Sequence, residues 1–316
     1  MKQQSFETFH RDRWQYIEKV IANPHKSIES DFPQRYRELC HHLAVAKSRR
    51  YSPNLAKRLN QLVLESHHIL YQYNNQHQRR WIWFLIQGFP NALRSNRAYV
   101  ASAFALFLLP LLTMALGCYL NEELIYSLME PANVRQFESM YDPSASVLGR
   151  ERGSETDLVM FGHYINNNIG IGFRTFASGI LFGLGSVFFL IFNGLSIGGV
   201  AGHLTQLGYT DTFYPFVSGH GALELGAIVF CGAAGLKLGF SLIDPGPYRR
   251  VDAIRLAGRE SVLIVYGSAL MLVAAAFIEA FWSSMPGMQL VKYGFGVFVA
   301  LLLLAYCCFS GKRYES

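Results

Sequence analysis

Five polar side chains in an otherwise apolar part of the chain are the candidates for chemistry. His220 and Glu224 are four residues apart, so on one helix they share a face. Glu279 follows in a later apolar segment, where the topology derived below gives it the same depth as Glu224. Asn193 and His203 lie in the glycine-rich stretch before them. Polar groups inside a membrane are costly and usually functional, so these residues form a candidate intramembrane polar cluster.

Two carboxylates and a histidine at one level could hold a proton or a cation, or could only satisfy one another in a structural network. Pro215, Gly219 and Gly221 are expected to break the helix beside His220, as in the ion and substrate sites of transporters. Asn167 and Asn168 are candidates for the outer opening of such a site.

Catalysis is the third use of such a cluster. A membrane metallohydrolase needs three protein ligands and a water, but residues 220–224 read H-G-x-x-E instead of H-E-x-x-H. We therefore predict no catalytic residues, no enzyme activity, no cofactor and no resident metal.

The composition separates a soluble head from a membrane domain. Of the 316 residues 51% are hydrophobic and 16% are charged, whereas a soluble domain carries about 25% charged residues. Residues 1–98 hold 16 of the 28 Lys and Arg but 7 of the 22 acids. No apolar signal-peptide core opens the chain. We predict a basic helical domain at 1–98, in the cytoplasm, and a transmembrane domain at 99–312, with no nucleic-acid partner.

Helical spacing of apolar residues predicts a bundle of three or four helices in the head. At its end, residues 78–97 combine Trp81 and Trp83 with arginines but hold too few apolar residues in a row to span a bilayer, which takes about 20. They fit an interfacial helix with Arg79, Arg80, Arg94 and Arg97 facing anionic lipid; the alternative is an ordinary helix of the head.

Charge distribution sets the predicted topology. The loop 121–168 has eight acids and three arginines, so it reads as the outer face, whereas the arginine-rich loop after Ile243 reads as cytoplasmic. Six crossings, with both termini in the cytoplasm, satisfy this pattern; a re-entrant third segment is the alternative. The predicted spans are 99–120, 169–192, a short or broken segment at 194–209, 222–243, 261–281 and 290–309.

Glycines at small-xxx-small spacing mark faces where helices can approach closely. They are expected to pack spans two, three and four together, and a symmetric homodimer through one of these faces is a candidate assembly. The pairs are Gly179 with Gly183, Gly194 with Gly198, and Gly235 with Gly239.

Several motifs resemble the stage II sporulation protein M family of integral membrane proteins, across about residues 99–309. They are N-N-I at 167–169, F-x-x-F-x-x-G-I-L-x-G-x-G at 173–185, N-G-L-x-x-G at 193–198, and H-G-x-x-E-L-x-A-I at 220–228 followed by A-G-L-x-L-G. The head is similar to the cytoplasmic extension of the family's longer members. The resemblance implies membrane scaffolding, because the sporulation member belongs to a complex that positions cell-wall hydrolases.

These observations predict an all-α, polytopic membrane bundle with an N-terminal cytoplasmic helical domain. The expected function is a scaffold of the bacterial cell envelope, in the cytoplasmic (inner) membrane, that meets envelope proteins through the outer loop or the head. The alternative is a transporter or channel that uses His220, Glu224 and Glu279.

Overall fold

A computed structural model describes residues 2–22, 31–144, 156–283, 285, 287 and 289–311, and its regular structure in these residues is helical throughout. The predicted all-α class is therefore confirmed. The contacts divide the chain into two units, Met1–Trp83 and Phe84–Ser316. The break comes before residue 98, because residues from Phe84 onward pack with the later helices.

The first unit is a bundle of three helices in the residues described. Apolar side chains from all three meet in one core, which Trp14, Leu39 and Leu59 fill with almost no exposure. This is the apolar stripe that the helical spacing predicted. The helices are α1 (Gln3–Ala22), α2 (Phe32–Ser48) and α3 (Pro53–Trp83).

A buried histidine makes the first unit sensitive to acid. His42 is 5% exposed, and Trp14 Nε1 donates a hydrogen bond to its Nδ1 at 3.2 Å. Burial, then the nearby His10 and Arg13, lower the pKa of His42 to about 4, below the ordinary value of about 6.5. The folded unit therefore favours the neutral ring, and the unfolded chain binds the proton more readily.

We expect this contribution to stability to be complete above pH 6.5 and to be lost as the pH falls towards 4, at a cost of about 3 kcal/mol. Hydrogen exchange of residues 2–22 and 31–70 in the full-length protein, corrected for intrinsic rates, measures it. The variant His42→Gln should flatten the pH dependence, whereas His68→Gln, at an exposed position, should leave it unchanged. Equal pH dependence in both variants would contradict the assignment.

In the part of the chain that the structure describes, the second unit contains six long helices, and residues 121–144 form a separate segment after the first of them. It opens with a π-helical turn at Phe84–Gly88, and two 3₁₀ turns lie at Glu122–Ser127 and Ser178–Ile180. A second π turn at Glu279–Ser283 continues α10. The helices are α4 (Phe89–Ser95), α5 (Arg97–Leu120), α6 (Pro131–Tyr141), α7 (Thr156–Ala177), α8 (Leu184–Gln206), α9 (Thr210–Ile243), α10 (Arg250–Ile278) and α11 (Gln289–Phe309).

The six long helices alternate in direction. Gly194 and Gly202 of α8 lie against Phe107 and Ala115 of α5, so α5 and α8 run parallel. On α7, Met160 packs in a cluster with Ala280 near the end of α10, whereas Gly172 lies against Leu272, so α7 and α10 are antiparallel. The central helix α9 runs antiparallel to α8 and α10. The connections at 178–183 and 244–249 therefore lie at the end of the bundle opposite to α6.

Five of these helices in the described residues are long and apolar enough to cross a membrane. The helix α7 is not among them, since it carries three consecutive asparagines at 166–168 and Arg174. It nevertheless runs the depth of the bundle, from the outer cluster at Met160 to Gly179 beside Gly235. The five apolar helices and α7 together agree with about six spans.

The predicted boundary between the second and third spans is wrong. The chain turns at Ser178–Gly183, inside the predicted span 169–192, where Phe182 and Gly183 have φ of 54° and 83°. The segment 194–209 is not short or broken, because it belongs to the 23-residue helix α8. The turn residues are themselves apolar, with Leu181 61% exposed, so composition gave no sign of it.

The predicted helix break before His220 is also wrong, since α9 is continuous from Thr210. Pro215 lies in its second turn and cannot donate a hydrogen bond to Asp211, four residues earlier. The side-chain amide of Gln289 donates to the carbonyl oxygen of Asp211 at 3.1 Å instead. This replacement bond explains how the helix tolerates the proline.

The segment predicted as one interfacial helix is divided. Trp81 and Trp83 are exposed at the end of α3, whereas Phe89 and Leu93 of α4 are buried against α9 and α10. Arg94 faces protein and not only lipid, because it donates to the carbonyl oxygens of Cys307 and Ser310 at the end of α11 at 2.8 and 2.6 Å. The side chain of Arg79 lies outside the described residues; Arg80 and Arg97 are exposed.

The predicted glycine faces are used inside the chain. Gly179 and Gly183 lie against Gly235 and Gly239, which packs the turn after α7 on α9. Gly194 and Gly198 lie against α5, the first span, which the sequence analysis had left out of this packing. A dimer that used these six glycines would have to displace a helix of its own chain.

Candidate functional site

Three of the five predicted polar residues come together and are called the donor cluster below: His220, Glu224 and Glu279. Their ligand atoms lie within 4.8 Å of one another, and His220 Nε2 is 3.8 Å from Glu224 Oε2. His220 is 3% exposed, and the Glu224 side chain is 20% exposed. The i, i+4 spacing on α9 explains the first pair.

A π-helical turn brings Glu279 and Ser283 to the cluster. This turn, Glu279–Ser283, follows directly on α10, and such wide turns often occur at functional sites. The hydroxyl of Ser283 is 3.0 Å from His220 Nδ1. One turn of α10 thus supplies a carboxylate and a group that orients the imidazole.

A buried lysine holds the same turn from α11. Lys292 is 3% exposed, and its Nζ donates to the carbonyl oxygens of Ser283 and Met285 at 2.7 and 2.6 Å. Ser283 is the last residue of the π turn, whose final carbonyls lack intrahelical partners, and Met285 follows just beyond it. The sequence analysis missed Lys292, although a charged residue at the start of an apolar span was a visible signal.

Helix α6 lies next to the donor cluster through Tyr141 and Phe216. Tyr141 is 6% exposed, and its ring packs on Phe216, which in turn packs edge-on against His220 with ring centroids 5.7 Å apart. Burial, then the nearby Glu279, Tyr164 and Glu224, raise the pKa of the Tyr141 phenol, which is therefore protonated at neutral pH. Nothing in the sequence around Tyr141 distinguished it from other tyrosines. No sequence pattern indicated Ser283 as a site residue either.

The other two residues of the predicted cluster lie elsewhere. His203 is 1% exposed and its Nε2 is 2.8 Å from Glu138 Oε1, so it joins α8 to the outer helix α6. Asn193 donates to the carbonyl oxygen of Phe189 at 2.7 Å within α8. Neither residue is part of the donor cluster.

The predicted outer opening at Asn167 and Asn168 falls inside α7. Asn168 is 2% exposed, and its Nδ2 has no hydrogen-bond partner among the described residues. The Oδ1 of Asn168 accepts a hydrogen bond from Asn167 Nδ2 at 3.1 Å. Residues 156–168 therefore belong to the bundle and not to the outer loop predicted at 121–168. Both asparagines lie within helix α7 and not at the end of a loop.

The fold and the buried polar groups define a polytopic α-helical membrane protein. Residues 103–284 match the family described as stage II sporulation protein M. This match covers more than half of the 316 residues, and the chain belongs to that family. Residues 4–72 match a family described as a domain of unknown function, DUF8413. No curated protein and no solved structure matches the chain.

Proposed function

We propose that this protein is a non-enzymatic scaffold of the bacterial cytoplasmic membrane, which holds an envelope protein on its outer segment, residues 121–144. The observation that carries the proposal is that buried contacts hold this segment on the bundle while Glu122, Glu123 and Glu130 stay exposed. A scaffold needs such a fixed surface, since a preorganised surface loses less entropy on binding.

The outer segment is held by buried contacts at both of its helical turns. Ile125 and Val134 pack with Cys118 of α5 and have no exposed area. Tyr141 packs with Leu204, and its carbonyl oxygen accepts a hydrogen bond from Thr212 Oγ1 at 2.6 Å. The Glu138–His203 pair adds a third attachment.

Charge favours a basic partner on the outer side. The outer segment holds five acids and one arginine, Arg135, which gives a net charge of −4. Arginines 249, 250, 255 and 259 are exposed at the opposite end of the bundle. Under the positive-inside rule this distribution supports the proposal that the outer segment faces outward and that both termini lie in the cytoplasm.

Photo-cross-linking in cells tests the proposal. A photoreactive residue at Tyr126 or Gln136, both exposed on the outer segment, should yield discrete protein adducts. The same residue at Leu302, which is 56% exposed on the apolar surface of α11, should yield none.

Charge reversal provides the matched variant. Glu122→Lys, Glu123→Lys and Glu130→Lys together should lower the adducts roughly tenfold, because opposed charges weaken association. Adducts that are absent from both outer positions, or that survive the triple reversal, would overturn the scaffold.

Transport is the second candidate function, favoured by two carboxylates and a histidine within membrane helices. A transported proton or cation would have to use Glu224 and Glu279. Reconstituted flux that is abolished by Glu224→Gln with Glu279→Gln would support transport, whereas a protein without flux, or with flux that survives both changes, would remove this candidate.

A further inference from the structure

The donor cluster has the spacing of a metal site more than that of a hydrogen-bonded pair. The 3.8 Å between His220 Nε2 and Glu224 Oε2 exceeds the upper limit of about 3.2 Å for an N–H···O bond. Two ligands bound to one tetrahedral zinc ion lie about 3.3 Å apart, given bonds of about 2.0–2.1 Å. The separations of the cluster, all within 4.8 Å, need only small side-chain movements to reach that value.

The orientation of the imidazole points the same way. His220 Nδ1 is engaged with Ser283 Oγ at 3.0 Å, and Ser283 is itself fully buried. A histidine that binds a metal through one nitrogen is normally held by a hydrogen bond at the other. When Nδ1–H donates to Ser283, the lone pair of Nε2 points towards the Glu224 carboxylate, an arrangement that a cation between them stabilises.

Charge balance supplies the third argument. The side chain of Glu224 is only 20% exposed, and a charged carboxylate inside a membrane bundle is stabilised by a nearby cation. A divalent ion at the donor cluster would neutralise both carboxylates at once.

We propose that His220, Glu224 and Glu279 bind one divalent transition-metal ion, with the imidazole and one oxygen of each carboxylate as ligands. Mixed imidazole and carboxylate donors suit zinc and its neighbours in the first transition row. Tyr141 and Phe216 cover the site on the outer side, so the ion fastens the end of α10 to α9 beneath the outer segment. The sequence predicted no metal, because it does not give the distances between these three side chains.

Metal binding by the full-length protein in detergent micelles tests the proposal, with an affinity tag that contains no histidine. After chelation and dialysis, Zn²⁺ titration should give one tight site per chain, and Co²⁺ should give the visible absorption of a low-symmetry site. Glu224→Gln and Glu279→Gln should each weaken that binding at least tenfold. Ser283→Ala should weaken it roughly tenfold while the Co²⁺ spectrum keeps its shape, as for other groups that orient a ligand.

The second buried His–Glu pair is the matched control. Glu138→Gln removes the partner of His203 but should leave the tight Zn²⁺ site unchanged. Weak Zn²⁺ binding by other histidines of the chain should be the same in this variant as in the unchanged protein. Each variant is compared at equal helicity and equal elution volume. A folded protein without a stoichiometric Zn²⁺ site, or with a site that survives both glutamate changes, overturns the proposal. Ion binding needs no partner, so this result is independent of the cross-linking that tests the scaffold.

Discussion

Replacing Gly198 by alanine is expected to lower the unfolding free energy of the membrane unit by about 2–3 kcal/mol, the cost of overpacking a tight contact. A Cβ atom at Gly198 would lie 2.9 Å from the carbonyl carbon of Leu111 and closer still to its oxygen. These are backbone atoms of α5, so no side chain can move aside and the two helices must separate. Gly194 and Gly202 meet the carbonyls of Phe107 and Ala115 in the same way.

The neighbouring glycine is the control for Gly198. A Cβ at Gly199 would have only ordinary contacts, with Leu128 and Met114 side chains at 3.6 Å, and alanine favours a helix over glycine. Heating in detergent followed by size-exclusion chromatography should show a loss of roughly 5–10 °C for Gly198→Ala and none for Gly199→Ala. Equal melting temperatures for the two variants would show that α5 and α8 do not pack through this row.

Patterns local in sequence predicted much of this molecule. Apolar length gave the helical class and a bundle with several spans, because both follow from the cost of placing polar groups in lipid. The i, i+4 spacing of His220 and Glu224 gave their shared face. Glu224 lies near the outer end of the predicted span 222–243 and Glu279 near the outer end of the predicted span 261–281, and this shared depth was enough to predict that Glu279 lies near the pair.

Relations that depend on tertiary packing were not predictable. The turn at Phe182 and Gly183 is as apolar as a span. Hydropathy therefore placed the boundary between the second and third spans at 192–194, whereas α7 ends at Ala177 and α8 begins at Leu184. His203 has its partner, Glu138, 65 residues earlier in α6, and no spacing rule connects them. The glycine row on α8 could be recognised as a packing face, but the choice of α5 as its partner required the fold.

Replacing Lys292 by methionine is expected to lower the unfolding free energy of the membrane unit by roughly 3 kcal/mol. The change keeps the length of the side chain but removes two charge-assisted hydrogen bonds, to Ser283 and Met285, each worth about 1.5–3 kcal/mol. Part of that loss is offset because a buried charge no longer has to be desolvated. The Ser283 carbonyl left behind belongs to a residue without exposed area, and an unpaired buried carbonyl is costly, so the π turn should open.

Lys237→Met is the matched change, since Lys237 also lies in a membrane helix. Its Nζ pairs with Glu260, whose side chain is 51% exposed, and such surface pairs contribute about 0–1 kcal/mol. Melting in detergent should therefore fall for Lys292→Met and stay nearly constant for Lys237→Met. Hydrogen exchange at residues 279–283 should accelerate only in Lys292→Met, because those amides belong to the turn that Lys292 holds. An equal loss in both variants would mean that lysine charge, and not the two carbonyl bonds, stabilises the bundle.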